Sequence, residues 1–130
     1  MTTRRRALGA ASILAIGIAV TACGSEGIST TVETDSPNIA HGADLFADHC
    51  AGCHTMDVVG AQGGATQIKD RERVDGPNFN VRKEDRESVL YAIRNGGFSG
   101  AIMPQDIVVG KEAEQLADFL AKYAGSGSSD

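Results

Sequence analysis

The chain has 130 residues, with 12 Lys and Arg against 17 Asp and Glu, for a net charge of −5 with the histidines neutral. That length allows one small domain plus appendages, and the acidic balance argues against nucleic acid as a partner and against electrostatic binding to anionic lipid. Aromatic residues are 5% of the total and none is tryptophan, so a core made of side chains alone would be thin, and domains this small are marginal without a staple.

Met1–Arg6 is a short basic head, and Ala7–Val20 is an apolar run of 14 residues, short for a membrane span. Together they read as a secretory signal peptide over residues 1–22. The segment ends in Val20-Thr21-Ala22-Cys23-Gly24, which resembles the lipobox of bacterial lipoproteins. The resemblance implies cleavage before Cys23 and a diacylglycerol on its sulfur. An ordinary signal peptide, or an uncleaved anchor, would leave Cys23 a spare thiol, a liability in an oxidising compartment. Loss of Arg4, Arg5 and Arg6 with the signal leaves 9 basic against 17 acidic residues, or −8. Residues 23–36 then form the lipidated N-terminus and a flexible tether, since Gly24–Ser36 is rich in Gly, Ser, Thr and acidic residues with no apolar period. This tether reaches about 45 Å at full extension and typically spans ~20 Å.

The folded domain, residues 37–124, opens at Ser36-Pro37 as N-cap and first helical position. Ile39, Leu45 and Phe46, with the small Gly42 and Ala43, give a helical apolar face running to His49. Cys50-Ala51-Gly52-Cys53-His54 follows, the attachment signature for c-type haem. On one turn of helix both thiolates reach the two vinyl groups on one side of a porphyrin, and His54 then lies under the macrocycle and offers a neutral imidazole nitrogen to iron. Other uses of this spacing are a thioredoxin-like dithiol, whose βαβ context the flanks lack, and a structural zinc site, which would have to recruit His41 or His49. A Cys50–Cys53 disulfide would close a very small, strained loop.

Thr55–Gly76 is poorly periodic, contains Gly60, Gly63 and Gly64, and reads as a loop wrapping one haem edge. Its charged stretch Gln67–Val74 is either a short helix or an extended piece. Gly76-Pro77-Asn78 marks a turn. Glu84–Asn95 reads as a helix, with acidic residues at its start, Val89, Ala92 and Ile93 on one face and Gly96-Gly97 as the stop. Met103 precedes Pro104 in a loop, 49 residues after His54, enough chain to pass round a macrocycle and return on its far face. Met56 is too close to His54 for that and Met1 lies in the signal, so Met103 is the candidate methionine ligand; its other reading is a loop methionine filling an apolar gap. Tyr91, on the preceding helix, is a candidate hydrogen-bond donor to the Met103 sulfur. Lys111–Ala124 is the last helix, with a stripe of Leu116, Phe119, Leu120 and Tyr123 and a stop at Gly125. Residues 125–130 read as a disordered polar tail.

The order of these pieces resembles class I (mitochondrial-type) cytochromes c over about Pro37–Ala124. The resemblance implies an all-α cytochrome c fold, three to four helices packed around one covalently attached haem c, with the last helix crossing closely at Gly42–Phe46. It implies thioethers at Cys50 and Cys53 and axial ligation by His54 and Met103. It also implies a Pro77 carbonyl accepting from the other nitrogen of His54, which fixes the tautomer. The stretch between His54 and Pro77 is longer than in short members. The expected function is transfer of single electrons between respiratory redox partners, as a carrier and not an enzyme. The expected location is outside the cytoplasm, held by lipid on the outer face of the cell membrane or in the periplasm. Its partners would be a quinol-oxidising complex and a terminal oxidase or reductase, and the acidic surface would suit basic docking patches. The alternative is a haem protein with an open sixth site, acting as a peroxidase or gas sensor; a non-redox lipoprotein with a metal clip is a further rival.

Overall fold

The computed structural model describes residues 32–34, 36–98 and 102–127. The signal segment 1–22, Cys23 with its lipobox, most of the tether, and Ser99, Gly100 and Ala101 lie outside the described residues.

Among the described residues, three α-helices carry the domain. The first, α1, spans Pro37–His49, with Pro37 in its first turn, where a missing N–H costs nothing. Ser36 holds the N-cap position, but its hydroxyl does not cap the helix; its own amide donates to Thr34 Oγ1 at 3.2 Å. The buried face of α1 is Gly42, Ala43, Leu45 and Phe46. The second helix, α2, spans Arg86–Asn95, starting two residues later than Glu84. The reason is Asp85, whose carboxylate accepts from the Ser88 amide at 2.8 Å and the Ser88 hydroxyl at 3.1 Å and so caps the helix at that point. The same bonds hold the Asp85 carboxyl below its ordinary value. Gly96 ends α2 in the left-handed region, at φ +68. The third helix, α3, spans Gly110–Tyr123 and buries Ala113, Leu116, Ala117, Phe119 and Leu120.

The α1–α3 crossing holds the fold together, and glycine permits it. A Cβ on Gly42 would fall less than 3.0 Å from the Gln115 carbonyl and the Phe119 Cβ, so any side chain there pushes the helices apart. Gln115 also donates to Asn38 Oδ1 at 2.8 Å across the same interface. Phe46 is fully buried at the centre, with its ring 6.1 Å from Phe119 and 5.9 Å from Phe79, within the range of favourable aromatic pairing. Arg86 ties α2 to α3 through Asp118 at 2.7 Å and Glu114 at 3.8 Å. These pairs are exposed, and such pairs contribute little.

The stretch expected as pure loop holds a small antiparallel sheet. Strands β1 (Thr55–Met56) and β2 (Ala61–Gln62) pair in the register Thr55 with Gln62 and Met56 with Ala61. A 3-10 turn at Asp57–Val59 and a left-handed Gly60 join them. A second 3-10 turn, Ile68–Asp70, begins the charged stretch, and Arg71 after it is extended. Helices still dominate, so the fold is the mostly helical one expected, with this ribbon added.

Two ends differ from expectation. The polar tail is bonded rather than frayed at its start: Gly125 donates to the Phe79 carbonyl at 2.7 Å and Gly127 to the Asn80 carbonyl at 3.0 Å. A Cβ on Gly127 would strike Asn80, so the missing side chain is what lets the backbones meet. Residues 128–130 lie outside the described residues. At the other end Val32 packs on the core, and the Tyr123 hydroxyl donates to the Glu33 carbonyl at 3.3 Å. The last tether residues therefore lie against α3.

Candidate haem site

The Cys50–His54 stretch continues the winding of α1 as turns. The amides of Cys50 and Ala51 both donate to the Phe46 carbonyl, at 2.9 and 3.0 Å, and those of Cys53 and His54 both donate to the Cys50 carbonyl, at 3.1 and 3.0 Å. Four of the motif's five amides are thus satisfied locally, which compacts the motif. The motif is then clamped from outside. The Gly63 amide donates to the His54 carbonyl at 3.2 Å and the Gly76 amide to the Cys53 carbonyl at 2.7 Å. Fully buried Thr55 uses its hydroxyl twice, donating to the Gly64 carbonyl at 2.5 Å and accepting from the Gly64 amide at 3.0 Å.

His54 is held on several sides. Phe79 stacks on its ring, centroids 4.8 Å apart and planes 13° off parallel. A Cβ on Gly76 would fall less than 3.0 Å from three imidazole atoms, so glycine is required for the turn to press on the ring. The Nδ1 atom lies 3.1 Å from the Pro77 carbonyl. With Nδ1–H donating there, Nε2 carries the lone pair, and it has no hydrogen-bond partner among the described residues. Burial lowers the His54 pKa, against the upward pull of the Pro77 bond. The imidazole is therefore neutral near pH 7, the form that binds metal.

Burial, with the neighbouring Cys53 thiol, pushes the Cys50 thiol up to about 12. That setting disfavours a free thiolate and suits an uncharged sulfur, thiol or thioether. Cys53 is exposed, and neither cysteine is in a disulfide.

A cavity of about 390 Å³ gathers these groups: Cys50, Cys53, His54 and Met103 all line it. The walls that the helices supply are largely apolar, with Phe46 from α1, Val89 and Ile93 from α2, and Leu116 and Leu120 from α3, while Arg71, Arg73, Asp75, Arg82 and Glu84 line the part beside the Gly76-Pro77 turn. An apolar slot bearing two thiols, one partnerless imidazole nitrogen and one thioether fits the chemistry of a covalently linked porphyrin. Met103 is half-buried and reaches the cavity from the segment between α2 and α3. Met56 instead lies in the core, 1% exposed.

Tyr91 does not take the place expected of it. It is 51% exposed, stacks on Phe98 at 5.3 Å, and makes no hydrogen bond to Met103 among the described residues. The residues of α2 that turn inward are Val89, Leu90 and Ile93, and Tyr91 falls outside that stripe. Pattern reading also passed over Phe79, Thr55 and the packing roles of Gly63, Gly64 and Gly76. The signal for these was present, since a glycine pair and a turn glycine near a ligand motif mark close backbone approach. It named no partner, because the contacts join segments without periodicity.

Residues 39–124 match the family model described as Cytochrome c. Cytochrome c-551 of Bacillus subtilis (strain 168) is 31% identical over 122 residues, covering 85% of this chain and 94% of that protein. The crystal structure of the c-type cytochrome SorU from Sinorhizobium meliloti aligns with a TM-score of 0.53 at 30% identity, over 69% of this chain and 94% of that one.

Proposed function

The chain belongs to the cytochrome c family, as a monohaem class I c-type cytochrome with covalently attached haem c, and from that premise we propose an electron carrier with both axial positions closed, tethered by lipid outside the cytoplasm. When bound, the haem supplies the one-electron couple of its iron. Cys50 and Cys53 would hold it through thioether links, and His54 and Met103 would offer a nitrogen and a sulfur ligand to its iron. The Pro77 carbonyl holds His54 Nδ1–H and increases the basicity of the ligating nitrogen. The observation that carries this reading is the single apolar cavity lined together by Cys50, Cys53, His54 and Met103. Phe79, Gly76 and Pro77 hold His54 on several sides, support that would limit rearrangement on electron transfer. A thioether ligand beside the imidazole would raise the potential and would close the iron to peroxide and diatomic gases. The partners are other redox proteins, a quinol-oxidising complex on the donor side and a terminal oxidase or reductase on the acceptor side.

In the Cys50→Ala/Cys53→Ala double variant, haem staining on a denaturing gel is expected to vanish while the wild type stains. Covalent haem surviving in the variant would refute the attachment. The anchor is tested separately. Cys23→Ser is expected to move the protein from the membrane to the soluble fraction, because lasting attachment takes more than one acyl chain, at ~0.8 kcal/mol per buried methylene. Retention of the Ser variant on membranes after a high-salt wash would place the anchor elsewhere.

A further inference from the structure

The chain after α3 meets the segment that supports His54. Gly125 takes the left-handed region at φ +74, where the helix ends. Its amide donates to the Phe79 carbonyl at 2.7 Å, and the Gly127 amide donates to the Asn80 carbonyl at 3.0 Å. The same segment also meets β1. There the Phe79 amide donates to the Thr55 carbonyl at 2.8 Å, and Asn78 bridges to Thr55 in parallel. The backbone of Phe79 is thus bonded to the residue after His54 through its amide and to the tail through its carbonyl. Asn80 adds a further tie: its Oδ1 accepts from the Asp57 amide at 2.7 Å, and its own amide donates to Asn78 Oδ1 at 2.9 Å. Asn80 is buried, so these bonds also satisfy a side chain that water does not reach.

The Phe79 ring carries this support to the ligand. It is buried, meets the Phe46 ring edge-on at 70°, and lies within 13° of parallel to the His54 ring. Turning the imidazole about its Cβ–Cγ bond would drive its edge into the Phe79 face. We propose that Gly125–Gly127 is a clip that positions His54 through Phe79, with Asn80 and Gly127 as positioning residues. The tail bonds hold the Phe79 backbone, and the Phe79 ring holds the plane of the imidazole. Contacts beyond the ligand orient it in this way at metal sites generally.

The inference rests on the haem reading, in which the His54 plane is that of an axial ligand, and the experiment tells the two apart. Ferric holoprotein is compared with a truncation after Ala124, a truncation after Gly127, and Phe79→Leu, each checked by haem stain and low-spin spectrum. Proton NMR reads the paramagnetically shifted haem methyl signals, whose order and spread follow the orientation of the imidazole plane. Hydrogen exchange reads the Phe79 amide. Truncation after Ala124 removes both tail donors and is expected to rearrange the methyl signals and speed exchange at Phe79. Truncation after Gly127 keeps both donors and is expected to match wild type. Phe79→Leu keeps apolar bulk but loses the stack, so its methyl signals are expected to move. Truncation after Ala124 in the Phe79→Leu background is expected to move them no further, because the tail acts through that ring. Gly127→Val, whose side chain meets Asn80, disturbs one bond of the clip in the full-length chain and is expected to move the signals in the same sense. Asp85→Ala removes the α2 cap; it is expected to lower the melting temperature with wild-type methyl signals, which separates ligand orientation from general loss of stability. Wild-type methyl signals in stained, low-spin Gly127→Val and in the truncation after Ala124, or a further change when that truncation is added to Phe79→Leu, overturn the proposal. A wild type without covalent haem overturns the haem reading and the inference together.

Discussion

The Met103→Ala variant is expected to keep its covalent haem but lose the far-red methionine–iron band, fall in potential, and bind carbon monoxide or cyanide. Met103 lines the same cavity as His54 and is half-buried there, whereas the other methionine of the domain, Met56, is sealed in the core. No second thioether is available to replace it. The fall in potential is a sizeable share of the ~0.8 V that axial-ligand choice spans. Met103→His should stay low-spin and six-coordinate while also falling in potential, since imidazole favours ferric iron more than a thioether does. Optical spectra with and without added ligand, and a redox titration, distinguish these outcomes. An unchanged spectrum and potential in Met103→Ala would put the sixth ligand elsewhere. His49 is then the first to test, because it lines the cavity, although its place beside Cys50 at the end of α1 puts it on the proximal side.

The largest effect on stability is expected from Gly42→Ala. Two terms oppose each other. Alanine in place of a helical glycine contributes ~1 kcal/mol of helix propensity. The new Cβ falls less than 3.0 Å from the Gln115 carbonyl, and overpacking costs ~1–3 kcal/mol, occasionally more. The obstacle here is backbone of α3 rather than a side chain that can swing away, so the upper end applies and the clash wins. A net loss of about 2 kcal/mol lowers the melting temperature by roughly 8–16 °C for a domain of this size. Thermal unfolding of the holoprotein followed by circular dichroism measures it. Gly52→Ala is the matched control, since nothing lies within 4 Å of a Cβ there. Equal melting temperatures for Gly42→Ala and wild type would mean that the helices do not cross as closely as described.

The features legible in the sequence were those with a period or a fixed spacing. The apolar stripe of α3, the small-residue face of α1 and the stop at Gly96 follow from helical geometry, and the structure places them within a residue or two of expectation. The start of α2 was misplaced because Glu84 and Asp85 look alike as acidic openers. Only the bond from the Ser88 amide shows which of them caps. The ribbon at Thr55–Gln62 left no pattern, because strands of two residues are too short to alternate. Its stability comes from Thr55, whose buried hydroxyl needs a partner and finds it in Gly64. Tyr91 illustrates a different failure. Its closeness in sequence to Met103 said nothing about the side of α2 it occupies. The charged stretch Gln67–Val74, open in the sequence between a short helix and an extended piece, holds one 3-10 turn and then runs extended at Arg71, and its two arginines, Arg71 and Arg73, line the cavity without any local pattern to mark them.

The central claim is that both axial positions are filled by this chain's own side chains, so that electrons pass and ligands do not bind. The most direct measurement is the absorbance spectrum of the purified wild-type holoprotein, oxidised and then reduced, before and after carbon monoxide. A low-spin spectrum in both states, a far-red methionine–iron band in the oxidised protein, and a reduced spectrum unchanged by carbon monoxide are the predicted result. A high-spin oxidised spectrum without that band, with prompt binding of carbon monoxide to the reduced protein, would contradict the account and make the chain an open-site haem protein.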